Sequence, residues 1–191
     1  MNNNLSTSDK LLLAAIDLMA EKGYDGTTTK EIAAVAGVNE VTLFRHFGSK
    51  AKLLEAVVNR YHYAEEMTKL FNESLTGELH TDLLTIARTY HKLMNRNRKL
   101  FWIIQKGSST LPAEVYQESA RHPQQLKKLL TNYLTDMSEQ HKVTPTANPG
   151  LQALCFMQMN HGAFISNNLN EEELNAYIEE GVRIFVRALT P

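Results

Sequence analysis

Hydroxyl, amide and basic side chains are concentrated between residues 27 and 50. A run of three threonines is followed by Lys30, and the stretch ends with Arg45, His46 and Lys50. Such side chains donate hydrogen bonds to phosphate oxygens and to the edges of nucleic-acid bases. They can serve this chemistry together only if the fold holds them on one surface.

The first half of this stretch predicts a helix of about two turns. Thr28 and Glu31 have the spacing of a capping box, in which each side chain accepts a backbone N–H of the other residue. Ile32 and Ala33 give the helix a small apolar face. Gly37 permits the left-handed backbone with which many helices end.

The second half predicts another short helix, joined to the first by the glycine turn. Asn39 is a good N-cap, and Leu43 and Phe47, four residues apart, form an inward-facing stripe. A glycine ends this helix, and Ser49 can cap the next one with Lys50 in its first turn. A helix, a turn and a second helix with an outward polar surface form the arrangement that places a helix in a DNA groove.

Residues 9 to 55 also resemble the N-terminal domain of the TetR family of bacterial transcriptional regulators. The resemblance implies an all-α fold, with a three-helix DNA-binding head that contains the helix-turn-helix, joined to a C-terminal helical body that binds ligand and dimerises. We expect the head at residues 1–53 and the body at residues 54–191. The matching residues are Gly23-Tyr24, Thr27 to Thr29, Ile32-Ala33, Ala36-Gly37-Val38, Thr42 to Phe47, Ser49-Lys50 and Leu53-Leu54.

The resemblance further implies which residues contact DNA. Family members read bases from the positions of Lys30, Asn39, Glu40 and Val41, and these side chains suit guanine, adenine, cytosine and a thymine methyl group, respectively. His46 and Lys50 stand at phosphate-binding positions. The alternative is that these side chains are only solvated surface. The full predicted set is Thr28, Thr29, Lys30, Asn39, Glu40, Val41, Thr42, Phe44, Arg45, His46 and Lys50.

At three of these positions, the type of residue affects the expected contact. Thr29 and Thr42 can be ordinary residues near helix caps, although short hydroxyls also bind phosphate. Phe44 stands where the family commonly has a tyrosine, so the phosphate contact of that hydroxyl is lost. We expect Arg45 to replace part of the affinity.

The charge of the chain is not that of a strongly basic nucleic-acid binder. The 191 residues have a formal net charge of −1, and the first 62 contain seven basic and seven acidic residues. Between Arg45 and Arg60, however, four bases face only Glu55. We therefore expect few phosphate contacts per subunit, and tight binding that requires two subunits on one DNA site.

Composition excludes several other classes of protein. The hydrophobic content of 43% is enough for a core, and the single cysteine, Cys155, excludes an internal disulfide. No signal-peptide pattern or membrane span is apparent, which predicts a soluble, cytoplasmic protein. Phosphate-loop, serine-nucleophile and metal-binding motifs are also missing, so we expect no enzyme, no metal and no cofactor. A helical adaptor whose head binds protein is the alternative to a DNA-binding regulator.

Helical patterns continue through the rest of the chain. We expect Ser8 to cap a first helix that Gly23 ends, and Asn170 with Glu173 to start the last helix by the capping-box spacing. Further helices are predicted near 79–95, 98–106, 112–121, 123–141 and 150–167, with a loop at 142–148.

The last two helices carry apolar stripes that predict an isologous dimer interface. The resemblance implies the same, with a four-helix interface between two subunits. The alternative is that these stripes only close the core of the monomer. The predicted interface residues are Leu151, Leu154, Cys155, Gln158, Ile165, Leu174, Ile178, Val182 and Phe185.

A small-molecule site is predicted in the body, where polar tips occur on otherwise apolar helices. Ligand pockets are mostly apolar with a few polar anchors, so an apolar or aromatic effector is expected. Core packing is the alternative for every member of this set. The candidates are Phe101, Trp102, Gln105, Tyr116, Met157, Gln158, Asn160, His161 and Phe164. Together these features predict a homodimeric, ligand-responsive repressor that binds a palindromic double-stranded operator.

Overall fold

A computed structural model describes residues 5–107, 109–145, 148–166 and 169–190, and confirms the predicted all-α fold. No helix in these ranges is both long and apolar enough to cross a membrane. The helices are α1 (Thr7–Lys22), α2 (Thr29–Val35), α3 (Glu40–Phe47), α4 (Lys50–Tyr61), α5 (Ala64–Glu73), α6 (Leu79–Arg96), α7 (Arg98–Lys106), α8 (Ala113–Glu139), α9 (Pro149–Ser166) and α10 (Glu171–Leu189).

Helix α1 begins earlier than its sequence pattern suggested. Ser6 is the N-cap, because its hydroxyl oxygen accepts the backbone N–H of Asp9 at 3.1 Å. The prediction of Ser8 as the cap was therefore wrong, and Ser8 lies in the first turn. Gly23 ends the helix with a φ of +77°, as predicted.

Helix α8 runs through Pro123 without a break, so the prediction of two helices at 112–121 and 123–141 was wrong. A proline inside a helix removes one backbone hydrogen bond and costs several kcal/mol when nothing compensates. Here Val115 before the proline and Leu126 after it are both buried. Packing on both sides of the proline holds the helix together.

Helix α5 was missed by the sequence analysis. Its Ala64 and Met67 are buried, but acidic and polar residues surround them and the apolar stripe is short. The predicted helices at 79–95 and 98–106 agree with α6 and α7. Of the predicted loop at 142–148, residues 142–145 and 148 lie outside helices, while Thr146 and Ala147 fall outside the described residues, as does Asn167 at the predicted end of α9.

Contacts divide the chain into two compact units. The head unit comprises Met1–His62 and Asn97–Arg121, and the body unit comprises Tyr63–Arg96 and His122–Pro191. In the head unit, Leu100 and Ile103 of α7 join the core formed by α1 to α4. The packing unit is thus larger than the predicted 1–53 head, which stays a prediction about function.

The body unit is built around α6, which packs against α5, α9 and α10. Phe156 and Phe164 of α9 are among its largest fully buried side chains. Helices α9 and α10 approach closely at Gly181, where an added Cβ would lie 2.8 Å from the sulfur of Met159. A larger residue here would therefore have to displace the end of the flexible Met159 side chain.

Candidate nucleic-acid interface and effector cavity

Helix α2 begins with the predicted capping box. Thr28 Oγ1 accepts the backbone N–H of Glu31 at 3.2 Å, and the Glu31 carboxylate accepts the backbone N–H of Thr28 at 2.9 Å. Lys22 of α1 donates to the same carboxylate at 2.7 Å. The bond from Lys22, followed by those from Thr28, lowers the pKa of Glu31 to about 2. These contacts fix the start of α2 against α1.

Helix α3 has one buried and one exposed face. Leu43 is fully buried and Phe47 half-buried, as predicted, whereas Val41 is 77% exposed and Phe44 is 45% exposed on the other side. Asn39 occupies the N-cap position, but its side chain makes no capping hydrogen bond. Left-handed glycines at Gly37 and Gly48 bound the turn and the end of this helix, with φ of +70° and +76°.

Thr28 and Thr29, at the start of α2, both donate their hydroxyl protons to glutamates of the head unit. Thr28 Oγ1 donates to Oε2 of Glu31 at 2.8 Å. Thr29 Oγ1 donates to Oε1 of Glu40, the first residue of α3, at 2.6 Å. A hydroxyl has a single proton to donate. In this conformation neither hydroxyl can donate to a phosphate, which changes what the resemblance implied for them.

Lys50 is also engaged inside the head unit. Its Nζ donates to the backbone oxygens of Tyr24 and Thr27, at 2.8 and 2.9 Å, and lies 4.2 Å from the centroid of the Tyr24 ring. An ammonium group has three protons to donate. Lys50 therefore holds the α1–α2 turn against the start of α4, with one proton left for an anion.

Arg45 and His46 are the exposed basic side chains of α3, and Lys30 of α2 is also exposed. Arg45 and His46 lie in the last turn of α3, where cations are favoured by the helix dipole. Thr42, between the two faces of the helix, is half-buried. The outer surface thus combines apolar, amide and basic groups, a composition that suits both base edges and phosphates.

The body unit contains a small cavity with a volume of about 10 Å³. This is about the space that the centre of one water molecule needs. No side chain of its lining carries a formal charge, and the only polar side chains in it belong to Tyr90 and Asn160. The lining residues are Ile86, Ala87, Tyr90, Leu126, Leu130, Phe156, Met157 and Asn160.

The two polar lining residues, Tyr90 and Asn160, have further polar neighbours. The Tyr90 hydroxyl and His161 Nδ1 form a hydrogen bond of 3.1 Å, and Asn160 Nδ2 donates to the Phe156 carbonyl at 2.9 Å. Asn160 Oδ1 and both ring nitrogens of His91 are buried as well. Burial lowers the pKa of His91, an effect that Asn160 opposes in part, and burial also lowers the pKa of His161.

The predicted ligand residues fall into two groups. Phe101, Trp102, Gln105 and Tyr116 belong to the head unit, where the first two rings stack edge to face and the last two residues are exposed. In the body unit, Met157 and Asn160 line the cavity, His161 bonds to Tyr90, Phe164 is buried and Gln158 is exposed. The structure thus gathers only part of the set around one cavity.

Sequence reasoning missed the lining residues from α6. Ile86 and Tyr90 are four apart on the buried face of that helix, a spacing that also describes ordinary core residues. No feature of the sequence distinguished a cavity-lining residue from an ordinary core residue. The hydrogen bond between Tyr90 and His161 next to the cavity becomes visible only once the chain is folded.

Helices α9 and α10 differ in how they present the predicted interface residues. On α9, Leu151 is 55% exposed, Ile165 is 38% exposed, and Cys155 and Gln158 are also exposed, with Leu154 half-buried. On α10, Ile178 and Val182 are buried within the body unit, and Leu174 and Phe185 are half-buried. Ile178 and Val182 must therefore be removed from the predicted interface, because packing against α6 and α9 already covers them. The strongly exposed apolar side chain of α10 is Ile184, at 57%.

Comparisons with known proteins agree with this architecture. Residues 11–57 match the family described as bacterial regulatory proteins, tetR family. The HTH-type transcriptional regulator YvkB of Bacillus subtilis strain 168, which is described as uncharacterized, is 31% identical over 96% of this chain and 97% of its own length.

Solved structures share the fold over nearly the full length. The regulator FadR from Bacillus subtilis, in complex with stearoyl-CoA, has a TM-score of 0.75 at 18% identity and covers 93% of this chain and 96% of its own. AibR, in complex with isovaleryl coenzyme A and operator DNA, has a TM-score of 0.72 at 22% identity and covers 97% and 99%, respectively. With the full-length similarity to YvkB, these findings establish that the chain belongs to the TetR family of bacterial transcriptional regulators.

Proposed function

We propose that this transcriptional regulator is a ligand-responsive repressor that binds a palindromic operator as a homodimer. The observation that carries the proposal is the division of α3 into a fully buried inner side at Leu43 and an exposed outer side at Val41 and Phe44. A short helix whose inner face is buried and whose outer face is exposed can enter a major groove. Such a protein acts on the chromosome, so the expected location is the cytoplasm.

Base reading is assigned to the start of the two helices, and phosphate binding to the end of α3. Lys30, Asn39, Glu40 and Val41 are the proposed base contacts. Arg45 and His46, with the remaining proton of Lys50, are the proposed phosphate contacts. Few cations per head imply modest affinity for one half-site, and a second head raises the overall affinity by its high local concentration.

The proposed dimer interface is the exposed side of α9 together with Ile184 of α10. It replaces the buried Ile178 and Val182 with residues that a partner can reach. Changing Ile184 to Glu should produce monomers in sedimentation, because a two-fold interface contains the substituted residue twice. Tyr116→Glu, at a 52% exposed aromatic of the head unit, is the matched control. A dimer that survives Ile184→Glu would place the interface elsewhere.

The effector is proposed to be a small apolar or aromatic molecule that enlarges the cavity beside Tyr90 and Asn160. The related structures of FadR and AibR contain acyl-coenzyme A molecules. The cavity lining in this chain has no charged side chain, so it suits an apolar group with one hydrogen-bonding point. Because the cavity is small, a ligand would favour a body conformation with more internal space. Such differential affinity is what allows a ligand to shift the spacing of two heads.

Selection from a library of random DNA duplexes tests the function directly. The expected result is an enriched palindrome with half-sites one helical turn apart. A reporter gene placed behind that sequence should be silenced by the protein if it is a repressor. Failure to enrich any duplex would favour a helical adaptor that uses the head to bind protein.

A further inference from the structure

The hydrogen bond between Thr29 and Glu40 joins the first residue of α2 to the first residue of α3. The Thr29 hydroxyl donates to Oε1 of Glu40 at 2.6 Å, between residues eleven positions apart in sequence. Both side chains are half-buried. The bond therefore fixes the direction of the Glu40 carboxylate at the N-terminus of α3, which is the end of the helix proposed to read bases.

This bond changes the role that the resemblance implied for Thr29. A hydroxyl donates one proton, and here that proton is directed to Glu40 rather than to a phosphate. An ionised carboxylate accepts about four hydrogen bonds, so Oε2 of Glu40 can still accept from a base. The amino group of cytosine is the donor that a glutamate selects in the major groove, whereas the acceptors of guanine and the O4 of thymine oppose a carboxylate.

The hydrogen bond from Thr29 restrains the Glu40 side chain. This restraint matters because DNA is a polyanion. A glutamate side chain has three rotatable torsions before its carboxylate, and phosphate repulsion would favour rotamers directed away from the groove. A hydrogen bond to a charged group is stronger than a neutral one and opposes that rotation. The same carboxylate loses less conformational freedom when it meets the base, since it is already partly ordered.

We propose that Thr29 is a positioning residue that orients Glu40, so that the second oxygen of this carboxylate selects a cytosine amino group in each half-site. The proposal rests on operator binding as proposed above. It assigns to Thr29 an effect on sequence preference instead of a uniform contribution to affinity. This distinction can be measured.

The first step is to identify the base pair that Glu40 reads. Random duplexes are selected with the full-length wild-type protein and with the Glu40→Ala variant. The expected result is one position per half-site at which wild type enriches cytosine and Glu40→Ala enriches no base. If cytosine is not enriched at any position that responds to Glu40→Ala, the proposal is overturned.

The second step is a double-mutant cycle on two duplexes that differ only at this base pair. Thr29→Val keeps the branched shape and removes the hydroxyl, and we expect it to reduce the discrimination between the duplexes by roughly tenfold, or ~1.4 kcal/mol. In the Glu40→Ala background, Thr29→Val should leave the discrimination and the overall affinity unchanged. Thr29→Ser, which keeps the hydroxyl, should retain the wild-type preference.

A phosphate-binding role for Thr29 predicts a different pattern. Thr29→Val would then weaken binding to both duplexes by the same factor, in the presence or absence of the Glu40 carboxylate, and this result would overturn the proposal. A library from which the wild type enriches no sequence would instead overturn operator binding itself. If Thr29→Val proves poorly folded by circular dichroism, comparison of Thr29→Ser with wild type decides, and a lost preference in that variant counts against the proposal.

Discussion

The head and body units satisfy their polar side chains in different ways. In the head unit, the capping contacts of Thr28 and Ser49 join residues three positions apart. In the body unit, the Tyr90–His161 contact joins residues 71 positions apart. The caps that start these head helices are thus local, whereas the polar contact beside the body cavity depends on long-range packing.

This difference suits the roles proposed for the two units. Local caps give the head short helices with fixed ends, which a DNA-reading surface requires. In the body, the Tyr90–His161 bond depends on how α6 packs against α9, so a ligand that changes this packing also changes the bond. A DNA-binding surface benefits from side chains that are held in place. A ligand-binding unit needs a conformation that ligand binding can stabilise.

Removal of the Asp82 carboxylate should produce the largest effect and would test how far the body depends on buried hydrogen bonds. This buried side chain accepts hydrogen bonds from the backbone and hydroxyl of Thr76, from the Gly77 N–H and from the Tyr133 hydroxyl, all at 2.8 to 2.9 Å. Asp82→Ala should lower the free energy of unfolding by about 3 kcal/mol, because several buried donors lose their acceptor. Urea denaturation measures this free energy, and Asp136→Ala, at an exposed position, is the control. Similar values for both variants would mean that these buried hydrogen bonds contribute little to the stability of the body.

Lys50 and Arg45 allow a sharper comparison within the head. Lys50→Ala should lower the unfolding free energy by about 1–2 kcal/mol, since its ammonium group holds two carbonyls. Arg45→Ala should change stability by less than about 0.5 kcal/mol. Its effect should be on DNA, with the slope of log affinity against log salt reduced by about 1.

Thermal unfolding and binding titrations at several salt concentrations separate the two roles. If Lys50→Ala keeps full stability and loses only salt-dependent affinity, then its carbonyl contacts do not contribute and the phosphate role dominates. Lys50→Arg preserves the charge but not the compact ammonium geometry, and we expect it to recover DNA affinity better than stability.

How much the sequence predicted depends on how close in sequence the contacting residues are. The capping boxes at Thr28 and Asn170 and the glycine at Gly37 were predicted correctly, because each depends on residues within a few positions. The DNA contacts themselves stay predictions. The engagement of Thr29 by Glu40 was not foreseen, since it depends on how two helices meet across the turn.

In the body, periodicity alone was less informative. It could not determine which side of an apolar stripe faces inward, and Ile178 and Val182 proved to be buried. Pro123 indicated a helix boundary by local rules, but packing of α8 overrode them. The cavity beside Asn160 was predicted only in part, because α6 contributes residues whose spacing resembles any buried helix.

The smallest expected effect concerns the pH dependence of the body. Burial lowers the pKa of His91 from its ordinary value of 6.5, so folding favours the neutral form of this ring. As the pH falls below 6.5, the unfolded chain binds the proton first, and stability is therefore lost toward acid until the lowered folded pKa is passed. Thermal unfolding at pH 7.5 and 5.5 should show a smaller loss for His91→Gln than for wild type. The exposed His80→Gln on the same helix is the control, and it should retain the wild-type pH dependence. An unchanged loss in His91→Gln would mean that other groups, with His161 the first to examine, cause the acid sensitivity of the body.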